Sequence, residues 1–394
     1  MTTFDAIVIG AGAAGLMCAG VAGQRGRRVL LLEHNARVGE KILISGGGRC
    51  NFTNRDTRPD RFLSHNPHFA KSALARYTAA DFLALVERHR IVWYEKTLGQ
   101  LFCEGVGSAR QIVAMLLDEC ARGGVQIDTD VRVEGVRRAD RFIVETSSGA
   151  AQAPIVVLAT GGPSIPKLGA TDFAYRIAQQ FGLPLTEIAP ALVPLTFSED
   201  DLGWMKPLSG VSLDVVAQAG PARFHEAALF THRGLSGPAI LQASSYWRPG
   251  ADVTLDLAPG VDAEAFLKER KRTRPKALAR TVLAEVLPAR LADALAARRQ
   301  DAERPLADLR DAALAEMART LSGFTVRPVG DEGYAKAEVT RGGVDTRALS
   351  SQTMEARDVP GLFVIGEAVD VTGWLGGYNF QWAWSSGWCA GQAI

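Results

Sequence analysis

The sequence predicts an α/β fold in which a doubly wound parallel-sheet domain is interrupted by a β-rich insert that itself carries helices. Three observations carry this expectation. An apolar run ending at Ile9 opens directly into Gly10-Ala-Gly-Ala-Ala-Gly15 and a helical stretch. A later apolar run, Ile155 to Leu158, ends in the same way at Ala159-Thr-Gly-Gly162. Between about Pro190 and Gly343 the texture changes, first to short strand-like runs separated by Gly and Pro, then to leucines every four residues.

In the first element, Gly10 allows a tight turn, Gly12 lets the backbone approach a pyrophosphate, and Gly15 lets helix and strand pack closely. Ala13 and Ala14 keep the turn small, and phosphate would sit on the unpaired N–H groups of the helix. A lone G-x-G-x-x-G is a weak signal, but here it has a strand before it, a helix after it and a second strand, Arg28 to Glu33. Glu33 falls about twenty residues beyond the glycines, where an acid binds a ribose 2′-OH. An acid there favours an unphosphorylated ribose, as in FAD or NAD.

Next come Arg37-Val-Gly-Glu-Lys41 and Ser45-Gly-Gly-Gly-Arg-Cys-Asn51. Gly46, Gly47 and Gly48, flanked by Ser45, Arg49 and Asn51, suit a loop that lies against a flat or anionic ligand. Phe69 to Arg122 reads as mostly helical, interrupted at Trp93-Tyr94 and by a Gly99 to Gly107 loop. Trp93, Tyr94 and Cys103 are candidates for a substrate wall, although such residues more often serve packing.

Composition narrows the options. The chain has 394 residues, 47% of them hydrophobic and 22% charged, and a net charge of +1, so no general attraction to nucleic acid or anionic membrane is expected. Ala6 to Gln24 is free of charge and could be mistaken for a span, but glycines punctuate it and no basic segment precedes it; a cytoplasmic protein without membrane attachment is expected. Five cysteines lack C-x-x-C spacing and six histidines lack ligand spacing, so neither a disulfide framework nor a metal is expected.

Four further segments make a resemblance specific: Phe230-Thr-His-Arg-Gly-Leu-Ser-Gly-Pro238, Gly342-Gly-Val344, Thr353-Met-Glu355 and Asp370-Val-Thr-Gly-Trp-Leu-Gly-Gly-Tyr-Asn-Phe-Gln-Trp-Ala-Trp-Ser-Ser386. With the Gly46 to Asn51 loop, they resemble the HI0933-like, or YhiN, family of flavoproteins. That family includes proteins named as aminoacetone oxidase family FAD-binding enzymes and BaiN-type NAD(P)/FAD-dependent oxidoreductases. The resemblance spans nearly the whole chain. It implies a Rossmann-like, two-dinucleotide-binding FAD domain at 1–190 and 344–394, an inserted β-barrel-like domain at 191–260 and 322–343, and a helical insert at 261–321.

The resemblance also implies FAD, expected to be non-covalent because the sequence shows no clear attachment signature. Its binding residues would include His34, Gly39, Lys41, Cys50 and Val133 beside the segments above, together with Thr160, Gly161 and Gly162. Gly366 and Glu367 would lie at the ribityl chain, with Glu367 taking a hydroxyl directly or through water. Gly376 and Gly377 allow close approach to the isoalloxazine ring, and N–H groups around Asn379, Phe380 and Gln381 would point from the positive end of the terminal helix, favouring the negative charge of reduced flavin. Tyr378 and Asn379 there, and His232 in the insert, are candidate catalytic residues.

The expected activity is hydride transfer between substrate and flavin N5. The resemblance favours an NAD(P)H-driven reductase of an activated C=C bond, with NAD(P)H binding transiently because no second complete G-x-G-x-x-G follows a strand. Oxygen-dependent oxidation of a small amine such as aminoacetone is one alternative. An RNA-binding flavoprotein that reduces a uridine base is another, with RNA contact through the basic run Lys268 to Lys276.

Overall fold

Alternating polar and apolar positions are missing from the earliest strand because both of its faces are covered. In the computed structural model, which describes residues 2–394, β1 (Ala6–Ile9), α1 (Ala13–Gln24) and β2 (Val29–Leu32) form one strand-helix-strand unit of an all-parallel sheet. Its strand order is Leu362–Val364, Ile155–Leu158, β1, β2, Gln126–Asp128. Register runs Ile155 opposite Ala6 and Val156 opposite Leu362, so the chain's last segment pairs into the sheet begun by its first. Every residue of β1 and β2 is buried.

The chain divides into two compact units, Met1–Ala189 with Val339–Ile394, and Pro190–Glu338. In the first unit, the terminal helix Tyr378–Ala393 lies on α1. This helix is apolar almost all round, as a helix buried on several sides must be. Trp384 is fully buried, stacked on Phe82 (4.4 Å between centroids, 8° between planes) and on Phe380 (5.6 Å, 12°), and donates Nε1–H to Phe52 O at 2.8 Å. No helix among the described residues is long and apolar enough to cross a membrane.

The stretch that reads as mostly helical contains Ala70–Arg76, Ala79–Arg88 and Ala109–Arg122, but its interruptions form a β-hairpin. Trp93–Glu95 and Gln100–Cys103 pair antiparallel, and Asn51–Asn54 adds a third strand. Strands of three or four residues are too short to show a period against the surrounding helices.

The second unit is built on a seven-stranded antiparallel sheet, ordered Phe324–Val326, Val253–Asp256, Ser212–Ala219, Ala222–Thr231, Gly234–Ser236, Leu195–Thr196, Gly330–Asp331. Its two edge strands are joined by only Arg327 to Val329. A link that short spans at most about 14 Å, so the sheet must curl until its edges approach. Helices Glu199–Met205 and Pro238–Tyr246 accompany the sheet, and Ala263–Thr273, Ala279–Leu283, Ala289–Ala297 and Asp311–Ser322 form the helical part of the unit. The last of these starts at Asp311, after Pro305 and a 3₁₀ turn, Leu306–Asp308.

The basic run lies on and after Ala263–Thr273, and all but one of its charges are met within the unit. Lys268 pairs with Glu264, Arg270 and Arg274 with Glu285, Lys271 with Asp311, and Arg272 with Glu269. Lys276 is exposed and has no acid in reach among the described residues. The run therefore offers little uncompensated charge to RNA.

Replacing Trp384 by Ala should remove about 3–5 kcal/mol of stability, the usual loss for a buried Trp. Urea or guanidinium unfolding of the flavin-free protein would check this, and a midpoint close to that of the parent would contradict the packing described.

Candidate active site

The three glycines of the first turn do different work. A Cβ on Gly15 would collide with Gly10 O, and one on Gly10, whose φ is +104°, would come within 2.7 Å of Ala159 O. Those two are explained by the protein's own packing. Gly12 is not: its φ is −82° and a Cβ there meets nothing within 4 Å. It caps α1 without a side-chain hydrogen bond and with no acid in the first turn. A helix N-terminus opening onto free space at a glycine that the fold does not require is what a bound pyrophosphate needs.

Glu33 is buried at the end of β2, and its Oε2 accepts from Ala11 N at 2.9 Å while Oε1 accepts from Asn35 N at 2.9 Å. The carboxylate thus braces the glycine turn and keeps lone pairs for a ribose. His34 lies beside it, Nδ1 3.2 Å from Glu33 Oε1. Val133 starts the strand Val133–Arg138, and Val131 N donates to Glu33 O at 2.9 Å, which brings that segment to the same end of the sheet.

Beyond the pyrophosphate, Lys41 Nζ reaches Ser164 Oγ (2.5 Å) and Glu367 Oε2 (2.7 Å), while Glu367 Oε1 accepts from Ser164 Oγ (2.6 Å) and Thr340 N (3.0 Å). Burial alone would push the Glu367 carboxyl up, but the Lys41 ammonium and the hydrogen bonds from Lys41, Ser164 and Thr340 outweigh it and hold the group below the ordinary carboxylate value. Most of its acceptor capacity is therefore used inside the protein, which leaves little for the ribityl hydroxyl expected there. Gly161 lies alongside, where a Cβ would stand 3.8 Å from Glu367 Oε2. Thr160 Oγ1 is buried without a partner among the described residues, a donor that the fold itself leaves unused. Gly162 is needed for packing, since a Cβ would meet Thr340 Oγ1 at 2.5 Å.

The Gly46 to Asn51 segment follows from a helix, Glu40–Gly48, that breaks at Ser45; Gly39 caps it with φ +71°, and Gly46, Gly47 and Gly48 are all left-handed. Ser45 Oγ donates to Ile42 O at 2.8 Å. Cys50 is fully buried and burial pushes its thiol up, so its side chain is no exposed nucleophile. Arg49 is exposed and donates to Tyr94 Oη at 3.3 Å. Asn51, with its amide oxygen turned inward, accepts from Gly377 N at 3.2 Å, joining this loop to the turn before the terminal helix.

At that turn, Gly377 has φ +95° and a Cβ would collide with Thr53 O, so glycine is required. Two expectations change here. Asn379 Oδ1 accepts from Gly373 N (2.8 Å) and its Nδ2 donates to Gly373 O (2.9 Å), so its side chain locks the turn instead of facing a substrate. Gln381 is fully buried: Oε1 accepts from Thr53 Oγ1 (2.6 Å), Nε2 donates to Tyr77 O (3.1 Å), and its backbone N–H donates to Gly377 O (3.0 Å). The outward N–H groups are those of the residues before it, Tyr378 to Phe380. Tyr378 is buried against Phe62 and Trp374, and burial pushes its hydroxyl up to about 12.

Sequence reasoning missed Ser164, Thr340 and His65. Asp370 Oδ2 accepts from His65 N and lies 2.9 Å from His65 Nδ1, a pair across 305 residues that no local pattern announces. His232 belongs to the second unit. It is exposed on the Thr231–Gly234 turn and lines an open cavity of about 410 Å³ with Ser209, Ser236, Glu332 and Lys336. His89, Asp118 and Glu119 place ligand-type atoms within 4.8 Å of one another, but Arg88 and Arg122 already pair with these carboxylates, and the cluster reads as an ion-pair network.

A dinucleotide cradle that runs to a glycine turn on a helix N-terminus defines the class: the chain is an FAD-dependent oxidoreductase. The chain belongs to the HI0933-like family, since the HI0933-like protein Rossmann domain matches residues 4–393. It is 51% identical to a ribosomal RNA dihydrouridine synthase of Escherichia coli (strain K12), covering 100% of this chain and 98% of the relative. Identity to a protein of the same name from Haemophilus influenzae is 45%, covering 98% of each chain. A 3-dehydro-bile acid delta(4,6)-reductase of Clostridium scindens is 29% identical, again over 98% of each.

Two measurements test the site. Gly12→Ala should leave flavin-free stability nearly unchanged but weaken FAD binding by about tenfold or more, the scale of a lost phosphate contact; unchanged affinity in a fluorescence titration would refute the assignment. Lys41→Met should cost about 2 kcal/mol at pH 7, less than a fully buried pair because both side chains keep some exposure. The wild-type contribution is present above the unfolded carboxylate value and lost as pH falls through the lower folded one. In the variant, burial raises the carboxyl, so its deficit should shrink as pH is lowered towards 4, and a deficit independent of pH would count against the pair.

Proposed function

We propose that this protein reduces the C5=C6 bond of a uridine in ribosomal RNA, with NAD(P)H as the source of electrons. The observation that carries the proposal is end-to-end identity of 51% to a relative named for dihydrouridine synthesis in ribosomal RNA, on a chain whose own cradle fits FAD. The bile acid relative, at 29%, also carries a reductase name, which supports the reductive direction over amine oxidation.

The chemistry is consistent with the site. The C5=C6 bond of uracil is conjugated to the C4 carbonyl, so hydride adds at C6, negative charge develops towards O4, and C5 takes a proton. FAD held in the cradle, once reduced by NAD(P)H, would supply that hydride. The protein's part is to place positive potential and a proton beside that centre. Tyr378 to Phe380 present N–H groups at the start of a sixteen-residue helix, a fixed positive end. Tyr378 is protonated at neutral pH already at its ordinary value, and burial, which raises it further, keeps it so; it would serve as a donor and not a base. Asn379 acts as a positioning residue for this turn.

Anaerobic mixing with NADH or NADPH should bleach the flavin, and adding unmodified ribosomal RNA should restore the colour with formation of dihydrouridine, detected by nucleoside mass spectrometry. Bleaching by aminoacetone with indifference to both nicotinamides would replace this reading with the oxidase.

A further inference from the structure

One face of the small three-stranded sheet in the first unit borders the cradle and extends beyond it. The pairing of Tyr94 with Phe102, and of Asn51 with Phe102, puts these three side chains on one face, with Gln100 and Lys96 two positions along their strands. Tyr94 and Phe102 are stacked, 5.7 Å apart with 19° between planes. Phe102 is 7% exposed and backs Tyr94, which is only half-buried. Arg49 donates to the Tyr94 hydroxyl, and Lys96 Nζ stands 5.7 Å from the Phe102 centroid.

Among the described residues, no acid lies in ion-pair reach of Arg49 or Lys96, and both are exposed, in contrast to the neutralised run at Lys268 to Arg274. The face has one acid by alternation, Glu104, one pair beyond Tyr94 and opposite Val92. At its other end it meets both glycine segments of the cradle. A Cβ on Gly46 would come within 2.7 Å of the Phe102 ring, and one on Gly376 within 3.1 Å of Gln100. Exposed Ile44, Val92, Leu98 and Val106 belong to the helix, hairpin and loop that frame it.

An aromatic ring open on one side, flanked by two cations without acidic partners and continuous with the glycine segments that would hold the flavin ring, matches what single-stranded RNA asks of a protein: stacking for a base and charge for the neighbouring phosphates. We infer that the Tyr94 face is an RNA platform, on which a base next to the reacting uridine stacks while Arg49 and Lys96 meet its phosphates. This rests on the uridine reading above, since only that substrate brings a polynucleotide to the cradle.

The test uses the FAD-loaded protein and an unmodified ribosomal RNA transcript, measuring binding by anisotropy over a range of salt and dihydrouridine formation by mass spectrometry. Tyr94→Ala should weaken RNA binding about tenfold or more, while Tyr94→Phe, which keeps the ring, retains most of it. Lys96→Glu should weaken binding and lower the salt slope by about one. Lys276→Glu, outside the platform, should change neither. Flavin spectrum and bleaching by NAD(P)H must match wild type in every variant, and a KM effect exceeding the kcat effect is expected. RNA reduction by wild type with undiminished binding by Tyr94→Ala and Lys96→Glu would overturn the platform and leave the function standing. Absence of any RNA binding by wild type would overturn both.

Discussion

The contact between the first helix and the last is the constraint on which the site depends. The terminal helix meets α1 at Gly387 and Gly391, four residues apart; a Cβ on Gly387 would lie 2.5 Å from Ala14 O, and one on Gly391 2.7 Å from Val21 Cβ. Small residues at that spacing let two helix backbones approach as side chains would not. Arg25 and Arg27 seal the far end by donating to Gly391 O and Ile394 O. Because α1 begins at Gly12 and the last helix begins at Gly377, this contact fixes two helix N-termini as parts of one rigid body. A dinucleotide needs both, one for its phosphates and one for its redox ring.

A second tie crosses the same unit by charge. Lys41, Ser164, Thr340 and Glu367 come from four separate segments, and each satisfies a group that burial would otherwise make costly. With Glu33 bracing Ala11, the polar groups around the cradle are largely held by the protein itself. Preorganisation of this kind means that binding the cofactor does not have to order the loops that receive it.

How much of this is legible in the sequence follows from how local each cause is. Gly10, Gly12 and Gly15 are legible because turn, approach and packing all act within six residues. Gly377 is legible through its left-handed turn, although the Thr53 O that also demands glycine there is distant in sequence. Asn379 and Gln381 read as facing the ligand because they follow a glycine turn at a helix N-terminus, but Asn379 turns back to Gly373 six residues away, and the partners of Gln381, Thr53 and Tyr77, are set by tertiary packing. The Lys268 to Lys276 run looks basic because four of its acids, Glu264, Glu285, Asp311 and Glu269, are either interleaved or distant in sequence. His65 and Asp370 are paired by strand register alone, Thr372 opposite Leu63, and no composition signal marks them.

This asymmetry has a physical origin that separates the two halves of an enzyme of this class. The cofactor is held mainly by backbone: helix ends and turns whose geometry needs glycine, and glycine is visible in a sequence. A substrate is held by side chains that fold together from separate segments, and the proposed platform of Tyr94, Phe102, Arg49 and Lys96 would be of that kind, each unremarkable alone. The hairpin that carries three of them is itself invisible, because strands of three or four residues have no period to read. Reading substrate from such a chain therefore starts with register, and the register here puts aromatic and cationic groups on the face that borders the glycine segments.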